Sequence, residues 1–155
     1  ISTDKKKALG NVLAGINKTF GAGTINFVSD VAENLKIKFY KTPSKELNDA
    51  LGGGFGVGRI VELYGDFSAG KTSLAQSTIA YNQSIDPNFV AGQFETEGSY
   101  DPEYAKDVMG IDNERYIVWE QKDTTAEKGL DILRSLVASG QFNMILVNSV
   151  NWISG

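Results

Sequence analysis

The chain contains no cysteine and no histidine. A disulfide framework, a Cys/His zinc site and any Ser-His or Cys-His catalytic dyad are therefore excluded. Long hydrophobic runs are missing too, since no window approaches the ~18 uninterrupted apolar residues of a membrane span. No apolar segment with a basic flank follows Ile1, so a cytoplasmic protein with no membrane partner is expected. Basic residues are outnumbered, 15 Lys and Arg against 19 Asp and Glu, for a formal net charge of −4. That balance gives no argument for nucleic acid, although a local basic surface would suffice for it. What is present, 41% hydrophobic and 22% charged residues, is an ordinary globular composition. The 155 residues suffice for one compact domain. Ile1 in place of an initiator Met, and a core-like strand close to the last residue, are the marks expected of a trimmed or partial chain.

Ser2 or Thr3 is placed to cap a helix whose apolar residues, Ala8, Leu9, Val12, Leu13, Ile16 and Phe20, keep a 3.6-residue period up to Gly21 and Gly23. Such a helix either packs on its own core or serves as an arm that packs on another molecule, since glycines separate it from the next segment. Ile25–Val28 and Lys36–Lys41 read as short strands, and Thr42-Pro43-Ser44 opens a short helix ended by Gly52-Gly53-Gly54. The run Ile60, Val61, Leu63 and Tyr64 reads as a strand of a parallel sheet buried on both faces. Strands and helices then alternate. Helices are expected at Lys71–Gln83, Pro102–Met109 and Thr124–Ser139, the last with a capping box over Thr124–Glu127. Strands are expected at Phe89–Glu95, Tyr116–Trp119 and Met144–Val147. Alternation with short loops implies βαβ crossovers and a parallel sheet flanked by helices.

Between the Arg59–Tyr64 strand and the next helix lies Gly65-Asp66-Phe67-Ser68-Ala69-Gly70-Lys71-Thr72, followed by Ser73. It satisfies G-x-x-x-x-G-K-[ST] in the strand-to-helix context that motif requires. Gly65 and Gly70 let the backbone wrap an anion, and successive N–H groups face it at the positive end of the helix. Lys71 is placed for the β and γ phosphates, and the Thr72 hydroxyl for Mg²⁺. The loop implies a bound nucleoside triphosphate.

Phosphoryl transfer to water needs a carboxylate that positions or deprotonates the water, and an acid associated with the magnesium. Phe89–Glu95 is expected beside the phosphate-loop strand, with Glu95 and Glu97 at its carboxyl end. Glu97, in the loop just past the strand, is the better candidate for the base. The acid is expected at the end of an apolar strand, yet Met144–Val147 ends in Asn148, which can accept a hydrogen bond from magnesium-bound water but brings no charge.

These segments together resemble the bacterial RecA recombinase family over nearly the whole chain. The resemblance rests on Lys7-Ala8-Leu9 through Ile16, Phe20, Gly21 and Gly23, on Leu51–Gly54 with Gly58–Gly65, and on Phe94–Glu97 with Tyr100-Asp101-Pro102-Glu103-Tyr104-Ala105. It implies an α/β P-loop NTPase core of RecA type at 36–155, preceded at 1–35 by a helix and strand that pack on the neighbouring protomer. It also implies ATP and Mg²⁺ as cofactors and a DNA-dependent ATPase that forms filaments on single-stranded DNA for recombination and repair. By the same resemblance Glu97 falls on the catalytic glutamate, Tyr104 on the tyrosine that stacks on adenine, and Asp101 close to the base.

Three departures bear on this expectation. Asn148 replaces the magnesium-associated Asp, and Asp66-Phe67 stands where the family has Pro-Glu. The chain also stops at Gly155, before the two loops that hold single-stranded DNA in the family, so contacts to single-stranded and duplex DNA are expected from regions beyond it. The alternative is a hydrolysis-impaired paralogue that acts as a structural or regulatory part of the filament. A small P-loop kinase is disfavoured, because no arginine-rich lid segment is visible.

Overall fold

A computed structural model describes residues 1–32, 36–120 and 125–150. The chain forms two compact units, Ile1–Ile37 and Lys38 onward. In the first, α1 (Thr3–Phe20) starts at Ser2, whose side chain accepts from Lys5 N at 3.4 Å. It ends at Gly21, with φ 113°. Asp4 in its first turn and Lys18 in its last complement the helix dipole. No residue of α1 is buried, and its apolar Leu9, Val12 and Phe20 are exposed. The strand expected at Ile25–Val28 does not form. The Asn17 amide takes both main-chain groups of Ile25, donating from Nδ2 to its carbonyl at 2.8 Å and accepting from its N–H at 3.0 Å. A short helix, α2 (Val28–Val31), comes directly after.

The second unit opens with β1 (Phe39–Tyr40), shorter than the strand expected at Lys36–Lys41, paired antiparallel with β2 (Phe55–Gly56). Between them lies α3 (Lys45–Ala50), capped by Ser44, whose Oγ accepts from Leu47 N at 3.2 Å. Asn48 grips Thr42 as Asn17 grips Ile25, with both bonds at 2.8 Å. Gly54 sits at φ 126°, and a Cβ there would collide with the main chain of Tyr40 and Lys41, so the return into β2 needs glycine.

The parallel sheet contains β3 (Ala91–Glu95), β4 (Tyr116–Glu120) and β5 (Met144–Asn148) in the order β4-β3-β5. Glu95 stands opposite Glu120 on one side and Asn148 on the other. Because side chains alternate along a strand, Ala91, Gln93 and Glu95 face one way, and Gly92 and Phe94 the other. The first face meets α4 (Lys71–Ile85), whose stripe Thr72, Gln76, Ile79 and Gln83 matches the helical repeat. The second face meets α6 (Ala126–Ser139), where Gly129 lies against Phe94, itself stacked on Trp119 with centroids 5.4 Å apart. Buried Ile79, Phe89, Ala91, Ala105, Ile111 and Tyr116 form the core on the α4 side, with Ala105 supplied by α5 (Pro102–Asp107).

Two expectations fail here for physical reasons. Arg59–Tyr64 forms no strand among the described residues and does not pair with β3. A strand has two edges, and those of β3 are taken by β4 and β5. With no strand paired to it among the described residues, Ile60 is fully exposed (100%) rather than buried on both faces. The cap of α6 is Thr125, whose hydroxyl accepts from Lys128 N at 3.4 Å, which is one residue later than the box expected at Thr124–Glu127. Thr124 lies outside the described residues. No helix among the described residues is long and apolar enough to cross a membrane.

Candidate functional site

The loop Gly65–Gly70 joins the exposed Arg59–Tyr64 segment to α4, and its backbone shape is unusual. Ser68 holds φ 59°, a conformation uncommon for a residue with a Cβ. Gly70 caps α4 in the left-handed region, at φ 86°, and no side chain among the described residues caps the first N–H groups of that helix. Those groups and the helix dipole provide what an anion needs. Lys71 folds its ammonium over the loop and donates to the carbonyls of Gly65 (3.0 Å) and Asp66 (2.9 Å). The side of the loop carrying Asp66, Phe67, Ser68 and Ala69, and Ser73 beyond it, is exposed. A cleft of about 370 Å³ opens between Glu62–Tyr64 and Gly70, Lys71 and Leu74 at the start of α4.

Thr72 turns inward, and its hydroxyl donates to Asn148 Oδ1 at 3.0 Å, joining residues 76 positions apart. From there polar contacts run across the sheet. Asn148 Nδ2 donates to Glu95 Oε2 at 2.9 Å, and Gln93 Nε2 donates to the same oxygen at 2.6 Å. Gln93 Oε1 accepts from Gln76 Nε2 at 3.1 Å and from the Tyr116 hydroxyl. The other oxygen of Glu95 accepts the main-chain N–H of Glu97 at 2.9 Å. Gln76, Gln93 and Glu95 are all buried. A carboxylate in that position is tolerable because donors surround it. Thr96 adds a further tie, since its N–H and hydroxyl both donate to the Asn148 carbonyl.

Glu97 itself is exposed in the turn after β3. Asp101 caps α5, accepting from Glu103 N at 2.9 Å and Tyr104 N at 3.0 Å, and Tyr104 is exposed on the first turn of that helix. Tyr100 packs against Tyr116 with centroids 6.0 Å apart. Burial, then the nearby Tyr100 and Glu95, push the Tyr116 hydroxyl far above the ordinary tyrosine range. Burial, reinforced by Asp101, also raises Tyr100.

The structure thus joins Thr72 to Asn148 and places Glu97 on a turn braced by Glu95. The buried Gln76, Gln93 and Tyr116 were missed by sequence reasoning. The signal was present in two polar residues spaced by two, Gln93 and Glu95, ending an otherwise apolar strand, and in Gln76 four residues after Thr72. The donor set fits magnesium. With its proton directed at Asn148, the Thr72 oxygen keeps lone pairs for a hard cation, and magnesium commonly takes a few protein oxygens alongside phosphates. Among the described residues no cluster of three or more acidic side chains forms a separate cage.

A parallel sheet with helices on both faces, and a glycine-lysine-threonine loop opening one of them, defines an α/β domain. Residues 7–154 match the family model of the RecA N-terminal domain, and the chain belongs to the RecA family. It is 40% identical over 147 residues to the RecA protein of Crocosphaera subtropica, covering 95% of this chain and 40% of that protein. Against the RecA protein of Herpetosiphon aurantiacus the identity is 40% over 151 residues, 97% of this chain and 40% of the relative. With that of Sinorhizobium fredii it is 39% over 150 residues, 96% and 40% respectively. The chain therefore spans about two fifths of the length of these curated relatives.

Proposed function

We propose that this chain is the ATP-binding part of a RecA-like recombinase, a DNA-dependent ATPase whose filament on single-stranded DNA is switched by nucleotide. The observation that carries the reading is the Thr72–Asn148 bond, which brings the start of the phosphate-loop helix onto a strand end in a chain of this family. In this reading the N–H groups after Gly65 and at Gly70–Thr72 bind the phosphates, Lys71 moves from the loop carbonyls to the β and γ phosphates, and Thr72 holds magnesium. Bound magnesium would neutralise charge developing on the phosphates. Asn148 orients Thr72 and accepts from magnesium-bound water. Glu97 orients the attacking water, and Tyr104, with Asp101 behind it, offers a ring to the base. The exposed apolar Leu9, Val12 and Phe20 of α1 support a role for that helix against a neighbouring protomer. In this reading the DNA contacts fall outside the two fifths of the relatives' length that this chain spans.

A second reading, a regulatory filament component with slow turnover, is favoured by one observation: a neutral carbonyl, rather than a carboxylate, meets Thr72. Both are tested by measuring ATP hydrolysis of the full-length protein with and without single-stranded DNA, beside its Lys71→Ala variant. Strong stimulation by DNA, lost in the variant, supports the ATPase. Lys71-dependent ATP binding with no turnover under either condition supports the regulatory component, and no ATP binding at all refutes both. Since a bond to a charged group contributes roughly 1.5–3 kcal/mol, Lys71→Ala should weaken ATP binding by about tenfold or more.

A further inference from the structure

We infer that Glu95 is a positioning residue: its buried carboxylate sets the direction of the Asn148 amide and, through it, of the Thr72 hydroxyl that faces magnesium. This rests on the nucleotide reading above.

The inference comes from what each group is able to donate. An ionised carboxylate only accepts, whereas a carboxamide has one accepting and one donating end. Glu95 Oε2 lies 2.9 Å from one end of Asn148 and 2.6 Å from one end of Gln93, so both amides must turn their NH₂ groups toward it. The far ends are then necessarily carbonyl oxygens. For Asn148 that oxygen is 3.0 Å from Thr72 Oγ1, so the threonine has to donate and its lone pairs are left for a cation. For Gln93 the far oxygen collects the Gln76 amide and the Tyr116 hydroxyl. The second Glu95 oxygen meanwhile holds the main chain of Glu97. One buried charge thus orients every proton in the network and touches both segments that carry the proposed chemistry. The negative charge absent from position 148 lies one strand away, at position 95.

This arrangement makes positions 95 and 148 interdependent. Asn148→Asp alone would set two carboxylates against each other across 2.9 Å, with no donor between them. Glu95→Gln alone would turn a donor toward either the Glu97 N–H or the Asn148 and Gln93 amides, releasing Asn148 to flip. Glu95→Gln with Asn148→Asp removes both conflicts. The carboxamide introduced at position 95 donates to the carboxylate introduced at position 148 and still accepts from the Glu97 N–H. Gln93 and Gln76 reverse their amides, and Tyr116 accepts where it had donated.

The test uses the full-length protein and reads the magnesium concentration for half-maximal binding of a fluorescent ATP analogue, with folding checked by circular dichroism. Each single variant should raise that concentration by roughly tenfold or more, as is usual when a group supporting a metal ligand is lost. The double variant should return to within about threefold of the parent or below it, a non-additivity diagnostic of coupled residues. A Glu95→Gln protein that folds with the parental magnesium requirement overturns the inference, as does a double variant no better than Asn148→Asp. If Glu95→Gln does not fold, the double variant decides alone: folding with restored magnesium dependence supports the inference, and failure to fold overturns it. Parental binding indifferent to magnesium would instead overturn the site reading itself, and this inference with it.

Discussion

Gly129 on α6 tests the packing that holds β3 in place. In most helices Gly→Ala is stabilising by about 1 kcal/mol, because glycine is the more flexible residue in the unfolded chain. Here a Cβ would stand 2.6 Å from Phe94 Cε1 and closer still to Cζ. The ring has nowhere to retreat: Phe94 is completely buried (0%) and stacked on Trp119 at an interplanar angle of 8°. Overpacking a closed site costs about 1–3 kcal/mol, and so rigid a stack belongs in the upper half of that range. Gly129→Ala is therefore expected to destabilise by a net ~1–2 kcal/mol, despite the gain in propensity. Urea unfolding of the full-length protein, monitored through tryptophan emission to report on Trp119, should show a lower midpoint at unchanged slope. Phe94→Leu should make Gly129→Ala less costly, giving a coupling the single changes lack. A stability gain of about 1 kcal/mol in Gly129→Ala would refute the reasoning, since propensity alone would then account for the change.

Two further outcomes are expected from named contacts. The Tyr116 hydroxyl titrates well above its unfolded value of 10.0, so the folded protein holds a proton that the unfolded chain releases. Stability should be unaffected below pH ~10 and fall above it by up to about 1.4 kcal/mol per pH unit, and Tyr116→Phe should abolish that share of the slope in denaturation curves taken at several pH values. Asp101→Ala should cost about 1 kcal/mol through the lost cap on α5, while Asp101→Asn keeps the acceptor and should lose a few tenths at most. An equal loss in both on thermal unfolding would show that its charge, rather than its capping oxygen, matters.

Local signals carried most of the fold. Ser2, Ser44 and Asp101 each cap the helix next to them, and the apolar runs ending at Glu95 and Asn148 are strands. Failures came where the outcome depended on a distant partner. The apolar pattern of Ile60–Tyr64 expresses a preference for burial in a sheet but does not say which edge is free, and both edges of β3 are occupied. Ile25 has strand character, yet its hydrogen bonds go to a side chain eight residues earlier. At the site, Thr72 and Asn148 were legible because a loop motif and a strand end each announce a position. The Glu95 network was not, because its meaning lies in which atom donates, and that emerges only once Gln93, Glu95 and Asn148 share one face.

The carboxamide grips have a consequence for chemical ageing. Asn17 on Ile25, Asn48 on Thr42 and Gln83 on Asp112 each present a donor and an acceptor to one residue's main chain, through separate nitrogen and oxygen atoms of one amide. Hydrolysis of such an amide, the slow damage to which Asn and Gln are prone in heat, replaces the donor with a second oxygen aimed at a carbonyl. Each grip would then become a repulsion, in a chain that has no disulfide to hold the same turns closed. The residues directly after the three, Lys18, Asp49 and Ser84, are all bulkier than glycine, the neighbour that most eases this hydrolysis. Those neighbours should keep the damage slow, and where it does occur the segment tied by that amide should loosen.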